Sequence, residues 1–282
     1  MSTATARATP TFSFEFFPPK TAEGKAKLRA TWQQLAQLGP RFFSVTFGAG
    51  GSTQQGTLDT VLEIRAAGHG AAPHISCVAS SKAEIAATLA RYREHGIRHV
   101  VALRGDLPSG LASSGEFRYA NELVAFIRAT TGDWFDIEVA CYPEYHPQTR
   151  NAAEEVKNFK RKIDAGATAA ITQYFYNADA YFRFVDDCAG AGINVPIVPG
   201  IMPIGNFSQL ARFSDACGAE IPRWMRIKLE SYGDDLASIR SFGLDVVTAL
   251  CKKLLDNGAP GLHFYTLNQA GPASTIWQRL GI

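Results

Sequence analysis

The side chain of greatest chemical interest is Glu15, which stands alone in the apolar run Thr11-Phe-Ser-Phe-Glu-Phe-Phe-Pro-Pro19. It is the only ionisable residue between Arg7 and Lys20. Successive side chains of a β-strand point to opposite faces, so Ser13 and Glu15 share one face while the phenylalanines that alternate with them share the other. The pattern therefore predicts that the Glu15 carboxylate lies inside the fold.

A buried carboxylate has two explanations. Burial of an unpaired charge is costly, so the group is either neutralised by a partner in a structural salt bridge or held at a raised pKa. A raised pKa is what a general acid needs if it is to carry a proton near neutral pH. The strand alone leaves both explanations open for Glu15.

Composition narrows the class of protein. The chain has 282 residues, 46% of them hydrophobic, and suits two ordinary domains or one α/β barrel of roughly 250 residues. Its net charge of +2, without a cluster of five like charges, argues against a nucleic-acid surface or an acidic-membrane anchor. The sequence shows neither a signal peptide nor an apolar run long enough to span a bilayer, so we expect a cytoplasmic protein.

The five cysteines are odd in number, widely spaced and without a C-x-x-C pair. That pattern favours reduced thiols over disulfides or zinc, and we expect no metal site.

Hydrophobic periodicity alternates short strand-like runs with amphipathic helical segments. The predicted strands lie at 12–17, 41–47, 71–78, 98–103, 136–142, 169–174, 195–199 and 261–265. The predicted helices lie near 21–38, 54–67, 82–95, 117–131, 149–165 and 178–190, with three more near 206–217, 221–230 and 234–257 before the last strand. Repeated β-then-α units without a linker predict an α/β fold, a single (β/α)8 TIM barrel over residues 1–282 with a flexible tail at 1–11.

In such a barrel the functional end is the one where the strands' carboxyl ends meet the loops that follow them. The unusual side chains cluster at those predicted ends: Glu15, Thr46, His74, Arg104-Gly-Asp106, Tyr142-Pro-Glu-Tyr-His146, Gln173 and Tyr265-Thr-Leu-Asn268. Arg104-Gly-Asp106 either forms a local ion pair in a turn or lets backbone approach a flat ligand. Glu138 falls early in its strand and is interpreted as structural, and a lone histidine such as His74 is more often scaffolding than a catalyst.

The predicted helix at 149–165 has an apolar stripe and an opposite polar row. The row consists of Glu155, Asn158, Arg161 and Lys162. Solvent exposure explains such a row, and its two cations also suit a diphosphate.

Motifs spread over nearly the whole chain, taken together and in order, resemble the methylenetetrahydrofolate reductase family. They are Phe14-Glu-Phe-Phe-Pro-Pro-Lys20, Ser44-Val-Thr-Phe-Gly, Ala72-Pro-His-Ile, Leu103-Arg-Gly-Asp, Tyr142-Pro-Glu-Tyr-His-Pro, Asn158-Phe-Lys-Arg-Lys162, Asp164-Ala-Gly-Ala, Ile171-Thr-Gln-Tyr-Phe, Pro199-Gly-Ile-Met-Pro and His263-Phe-Tyr-Thr-Leu-Asn. The resemblance implies a flavoprotein barrel with a ping-pong mechanism. NADH or NADPH reduces FAD and leaves, and 5,10-methylenetetrahydrofolate then accepts the hydride to become 5-methyltetrahydrofolate.

The resemblance also implies roles for individual residues. Glu15 is implied as the acid that protonates the folate, and Asp106 as the aspartate near the flavin that also serves the folate. Flavin contacts are implied for Phe47, Ala49, His74, Arg104, Gly105, Tyr119, Ala120, Ala140, Tyr142 and His146. Contacts to the FAD ribose and diphosphate are implied for Glu155, Asn158, Arg161 and Lys162. Thr46 and Gln173 resemble nicotinamide-side contacts, Gln173 also serves the folate, and Gln209 and Phe213 resemble residues that cover the substrate.

The chain departs from the family pattern at Gln269, where an arginine is usual, and at Phe47, where tyrosine or tryptophan is common. It resembles the short bacterial form without a regulatory domain, and the resemblance implies a homo-oligomer. Two alternatives stay open. One is a folate-binding barrel of a methyl-transfer system that holds no flavin. The other is a metal-independent lyase, for which no lysine stands at a predicted strand end.

Overall fold

The fold is known from a computed structural model that describes residues 9–47, 51–105 and 115–282, with the side chains of 51–53 left aside. Within these ranges the chain forms a sheet of nine strands in which every pairing is parallel. The strands are β1 (Thr11–Phe16), β2 (Phe42–Val45), β3 (Ala71–Ser76), β4 (His99–Leu103), β5 (Asp136–Cys141), β6 (Ala169–Thr172), β7 (Ile197–Val198), β8 (Gly200–Ile201) and β9 (Gly261–Tyr265). Most of the amino-terminal tail predicted at 1–11 lies outside the described residues, and Thr11 already belongs to β1.

The seventh predicted strand is divided at Pro199 into β7 and β8. The first half pairs with β6 and the second with β9, so one segment joins the two ends of the sheet into a nearly closed barrel. Proline has no N–H for the ladder, and its carbonyl accepts a hydrogen bond from the His263 N–H at 2.9 Å. The strand predicted at 195–199 is therefore present as the shorter β7, pairing resumes beyond Pro199 as β8, and the predicted TIM-barrel-like α/β fold is confirmed.

Helices follow the strands as the periodicity predicts. Their bounds are α1 (Ala22–Ala36), α2 (Gly51–Ala66), α3 (Lys82–Glu94), α4 (Ala120–Thr131), α5 (Ala152–Asp164), α6 (Ala178–Gly190), α7 (Phe207–Cys217), α8 (Arg223–Ser231), α9 (Leu236–Asp256) and α10 (Ala270–Leu280), with a 3-10 turn at Gly132–Trp134. The three helices expected before the last strand are present as α7, α8 and α9. The sequence analysis sets no bounds for α10. Among the described helices, none combines the length and apolar character that a membrane span requires.

The two faces of β1 have different surroundings, as the alternation predicts. Phe14 is fully buried and stacks on Phe43 and Phe264 at centroid distances of 6.0 and 5.5 Å, between the sheet and the helices. Phe12 on the same face contacts Trp277 of α10 at 4.4 Å. Because this face is anchored by aromatic packing, the opposite face of β1 turns its polar side chains into the barrel.

Candidate active site

Glu15 lies between two histidine side chains. Its Oε2 is 3.4 Å from Nε2 of His74 on β3 and 3.5 Å from Nε2 of His263 on β9. The Glu15 side chain is 18% exposed, whereas those of His74 and His263 are 5% and 0% exposed, so the carboxyl group stands at the edge of a buried polar cluster. The parallel register that places Ser13 opposite His263 brings β9 beside β1 at this point.

The protonation of Glu15 is set by two opposing influences. Burial raises the pKa of Glu15, but the imidazoles of His74 and His263 together lower it by more. The net direction is therefore below the ordinary value. Burial lowers the pKa of His74 more than the carboxylate of Glu15 raises it, so the net direction for this imidazole is also below the ordinary value. Of the two explanations for the buried carboxylate, this arrangement has the partner-neutralised one, not a raised pKa.

His263 is a site residue that the sequence analysis missed, although its motif was quoted. It is completely buried, and its Nδ1 lies 2.7 Å from the Ser13 hydroxyl oxygen. One signal for it was available. In a closed barrel the last strand lies beside the first, and the side chains of 263 and 265 share a face on the predicted strand at 261–265.

The Tyr265-Thr-Leu-Asn268 segment holds the backbone around Glu15. The Thr266 hydroxyl donates to the Glu15 carbonyl at 2.6 Å, and the Asn268 amide forms hydrogen bonds with the N–H and the carbonyl of Phe17 at 3.0 and 2.9 Å. Tyr265 donates its hydroxyl to the Thr172 carbonyl at 2.8 Å. These contacts tie the ends of β1, β6 and β9 together at the carboxyl-terminal rim.

Arg104 and Gly105 lie where β4 ends. The Arg104 guanidinium donates to Gln148 Oε1 at 2.6 Å, and its carbonyl accepts from the Ser76 hydroxyl at 2.9 Å. Gly105 has φ +85, and a Cβ there would overlap the Ser76 hydroxyl, so only glycine lets the backbone pass this close to β3. Asp106 falls outside the described residues, and so does any ion pair it makes with Arg104.

The polar row predicted on the helix at 149–165 does not face solvent as one surface. Glu155 is buried, and its Oε2 accepts from the His146 N–H at 3.2 Å and the Thr149 hydroxyl at 2.9 Å. Lys162 donates to the Ala140 carbonyl at 2.8 Å, and burial lowers the pKa of its ammonium group. The row is therefore split, because the loop from β5 to α5 covers its inner members.

The other two members of the row are Asn158 and Arg161. Arg161 is exposed and donates to Asn158 Oδ1 at 2.9 Å. Tyr142 and His146 of the covering loop meet edge to face at a centroid distance of 4.8 Å. Lys162 lies 5.6 Å from the centroid of the Tyr142 ring, so a cation and two aromatic rings meet beside the end of β5.

The remaining predicted residues are distributed around the rim. Thr46 and Phe47 follow β2 and are half-buried, and the Thr46 carbonyl accepts from the Thr57 hydroxyl at 2.7 Å. Gln173 follows β6, and its side chain accepts from the N–H of the next residue at 3.0 Å. Tyr119, which is 59% exposed, precedes α4, and the buried Ala120 begins that helix. On α7, Gln209 is exposed and Phe213 is half-buried, and Ala49 lies outside the described residues.

A second histidine–carboxylate pair lies in the barrel interior. His99 at the start of β4 places Nε2 3.4 Å from Oε1 of Glu138 on β5. Burial raises the pKa of Glu138, but nearby cationic groups, His99 first among them, lower it by more. The net direction is therefore below the ordinary value. This pair has the geometry of the Glu15 pairs but involves neither Glu15 nor the rim loops, which fits a structural interpretation of Glu138.

Comparison with known proteins identifies the family. The family profile described as methylenetetrahydrofolate reductase matches residues 1–281. The 5,10-methylenetetrahydrofolate reductases of Salmonella typhimurium and Escherichia coli are each 41% identical over 271 residues, covering 96% of this chain and 90% of theirs. Methylenetetrahydrofolate reductase (NADH) 1 of Arabidopsis thaliana is 39% identical over 285 residues, which cover 96% of this chain and 48% of the plant protein.

Among solved structures, a Clostridium thermocellum protein that binds two copies of 5-methyl-5,6,7,8-tetrahydrofolic acid superposes with a TM-score of 0.67. Its identity is 16%, over 96% of this chain and 94% of that protein, so the likeness shows the fold alone. The sequence relationships carry the assignment: the chain belongs to the methylenetetrahydrofolate reductase family.

Proposed function

We propose that this protein reduces 5,10-methylenetetrahydrofolate to 5-methyltetrahydrofolate, with FAD as bound cofactor and NADH or NADPH as electron donor, by a ping-pong mechanism. Family membership supports the reaction, and the name of the Arabidopsis relative supports NADH as a donor. The observation that carries the proposal is the Glu15 carboxyl group at the barrel rim, with both imidazoles on Oε2.

The rim residues fit a flavin dinucleotide. When bound, FAD would supply the hydride that passes from the nicotinamide to the folate. Nε2 of His74 is buried without a hydrogen-bond partner among the described residues, and Gly105 leaves room for a flat ring to approach the backbone. Arg161 and Lys162 would hold the diphosphate, with Tyr142 beside them.

Glu15 has the position needed to protonate a folate nitrogen. Each imidazole makes its closest approach to Oε2, so Oε1 is the oxygen that we assign to the substrate. A substrate seated on the rim would remove the remaining 18% exposure of the side chain. That change strengthens the influence of burial, which raises the pKa, and moves Glu15 toward the protonated form that an acid requires.

The test is to measure the two half-reactions separately by stopped flow. Purified protein should be yellow with FAD and should be bleached by NADH or NADPH, and the reduced protein should then be reoxidised by methylenetetrahydrofolate. Glu15→Gln should retain FAD and the first step while losing the second by roughly a hundredfold or more. Equal loss in both steps would refute the acid role, and a protein that neither binds FAD nor accepts electrons would refute the proposal.

The second candidate is a folate-binding barrel without flavin. The solved structure with a bound methyltetrahydrofolate is the observation that favours it. Folate binding by a colourless protein that takes up no added FAD would support this alternative over the reductase.

A further inference from the structure

The two oxygens of the Glu15 carboxyl group have different surroundings. Nε2 of His74 and Nε2 of His263 both approach Oε2, at 3.4 and 3.5 Å. Both nitrogens are buried, and neither has a hydrogen-bond partner in the part of the chain that the structure describes. The closest approach of each imidazole is therefore to the same oxygen, Oε2.

His263 has a second polar contact, on its other ring nitrogen. Its Nδ1 lies 2.7 Å from Oγ of Ser13, which precedes Glu15 by two residues on the same face of β1. A neutral imidazole carries a proton on one nitrogen and a lone pair on the other, whereas a serine hydroxyl can donate or accept. The Ser13 hydroxyl is buried, with 4% of the residue exposed, so its orientation is decided by the imidazole.

The carboxyl group determines the tautomer. A lone pair on Nε2 would face Oε2, and this arrangement is repulsive when Glu15 is a carboxylate. Beside the carboxylate, Nε2 therefore carries the proton, and Nδ1 then accepts from Ser13. In this tautomer the Ser13 hydroxyl donates to Nδ1, and the Nε2–H group points toward Oε2.

We propose that His263, held in its Nε2–H tautomer by the Ser13 hydroxyl, is a positioning residue that directs the transferable proton of Glu15 to Oε1. An N–H group beside Oε2 favours an unprotonated oxygen there, so the proton to be transferred is carried on Oε1. In the transfer the Oε1–H bond breaks and an N–H bond forms on the folate, and the charge left on Glu15 is stabilised by the N–H groups at Oε2. The proposal rests on the reductase function given above.

The first test reads the imidazole and the carboxyl group directly. Nitrogen-15 NMR of histidine-labelled full-length protein should show His263 protonated at Nε2 with Nδ1 as acceptor, and Ser13→Ala should shift the Nδ1 resonance. Carbon-13 NMR of labelled glutamate should show Glu15 titrating at a higher pH in His263→Phe than in the parent protein, because one influence that lowers its pKa is removed. An Nδ1–H tautomer, or a Glu15 titration unmoved by His263→Phe, would overturn the proposal.

The second test compares half-reactions. His263→Phe should slow the folate half-reaction roughly tenfold to a hundredfold and move its pH profile upward, with reduction by NADH unchanged. His263→Gln keeps an N–H donor near Oε2 and should recover most of the rate, which a purely structural role would not explain. The matched control is His95→Gln, which alters an exposed histidine just after α3 and should leave the folate pH profile unchanged.

Thermal unfolding and FAD retention, measured for every variant, show which of them fold. If His263→Phe does not fold, the tautomer in the parent protein and the rate of His263→Gln still decide the question. If the parent protein binds FAD but does not reduce methylenetetrahydrofolate, the proposed function fails, while the NMR titrations still report whether His263 orders the carboxyl group. If His263→Gln and His263→Phe are equally slow, the positioning role is refuted.

Discussion

The side-chain amide of Asn268 forms two hydrogen bonds with the backbone of Phe17, accepting from its N–H at 3.0 Å and donating to its carbonyl at 2.9 Å. Phe17 follows the end of β1 directly, two residues after Glu15. Asn268 has φ +57, in the left-handed region that asparagine and glycine tolerate. The amide thus acts as a clamp on the strand that carries the proposed acid.

Asn268→Ala should lower the rate of the folate half-reaction by roughly tenfold to a hundredfold, because a small displacement of Glu15 disrupts its alignment with the substrate. Loss of the two hydrogen bonds should also reduce the free energy of unfolding by about 2 kcal/mol. Stopped-flow rates and urea titrations measure these effects. Asn268→Gly is the control for backbone strain, since it permits the left-handed conformation without the amide, and it should be equally slow. A fast glycine variant would contradict the clamp.

The inward direction of Glu15 was predictable from sequence, but its partners were not. Alternation on β1 places the carboxyl group opposite the buried face of Phe14, and the structure has that arrangement. The approach of His263 depends on the register between β1 and β9, which pairs residues 250 positions apart. No local pattern specifies such a register, because it is set by closure of the whole barrel.

Non-local contacts also decide how the polar row on α5 is buried, and local sequence patterns do not specify them. Helical periodicity correctly separates Glu155 and Lys162 from the apolar stripe, but it reports nothing about a loop that folds over them. In the structure that loop supplies the Thr149 hydroxyl to Glu155, and the end of β5 supplies the Ala140 carbonyl to Lys162. Non-local hydrogen bonds therefore accompany the burial of Glu155 and the partial burial of Lys162, which helical periodicity does not predict.

Glu144 should make stability depend on pH. Its Oε2 accepts from the Glu220 N–H at 2.7 Å, while Oε1 is buried without a partner among the described residues. Burial raises the pKa of Glu144 from 4.5 to about 7. The folded state therefore holds this proton longer than the unfolded chain, and the stabilisation present below pH 4.5 is lost as the pH rises to about 7. After allowance for solvent screening, the free energy of unfolding should fall by about 2 kcal/mol over this pH range.

Urea unfolding at pH 5 and pH 8 checks this effect. Glu144→Gln removes the titration and should reduce the difference in unfolding free energy between the two pH values by about 2 kcal/mol relative to the parent protein. The exposed carboxyl group of Glu94 on α3 provides the control, and Glu94→Gln should change the difference by less than about 0.5 kcal/mol. An identical pH dependence in Glu144→Gln and the parent protein would show that Glu144 does not titrate in this range.

Closure of the barrel should depend on the absence of a side chain at Gly200. A Cβ at this position would overlap the Thr172 carbonyl oxygen and the Tyr265 ring, where β8 passes between β6 and β9. Gly200→Ala should reduce the free energy of unfolding by about 3 kcal/mol, since the contacting groups belong to backbone and to a packed ring. Gly205→Ala, which meets nothing within 4 Å, should change it by less than about 0.5 kcal/mol. Similar stabilities of the two variants would contradict this account.

The diphosphate assignment to α5 can be tested without altering the fold, because Arg161 is exposed and its recorded bond is to Asn158 on the same helix. If its guanidinium holds the FAD diphosphate, Arg161→Ala should weaken FAD binding roughly tenfold, the effect of losing one charge-assisted hydrogen bond. Equilibrium titration of the apoprotein with FAD measures this change. Arg183→Ala removes an exposed arginine from the neighbouring helix α6 and should bind FAD as the parent protein does. Equal weakening in both variants would indicate a general effect of surface charge and would remove Arg161 from the cofactor site.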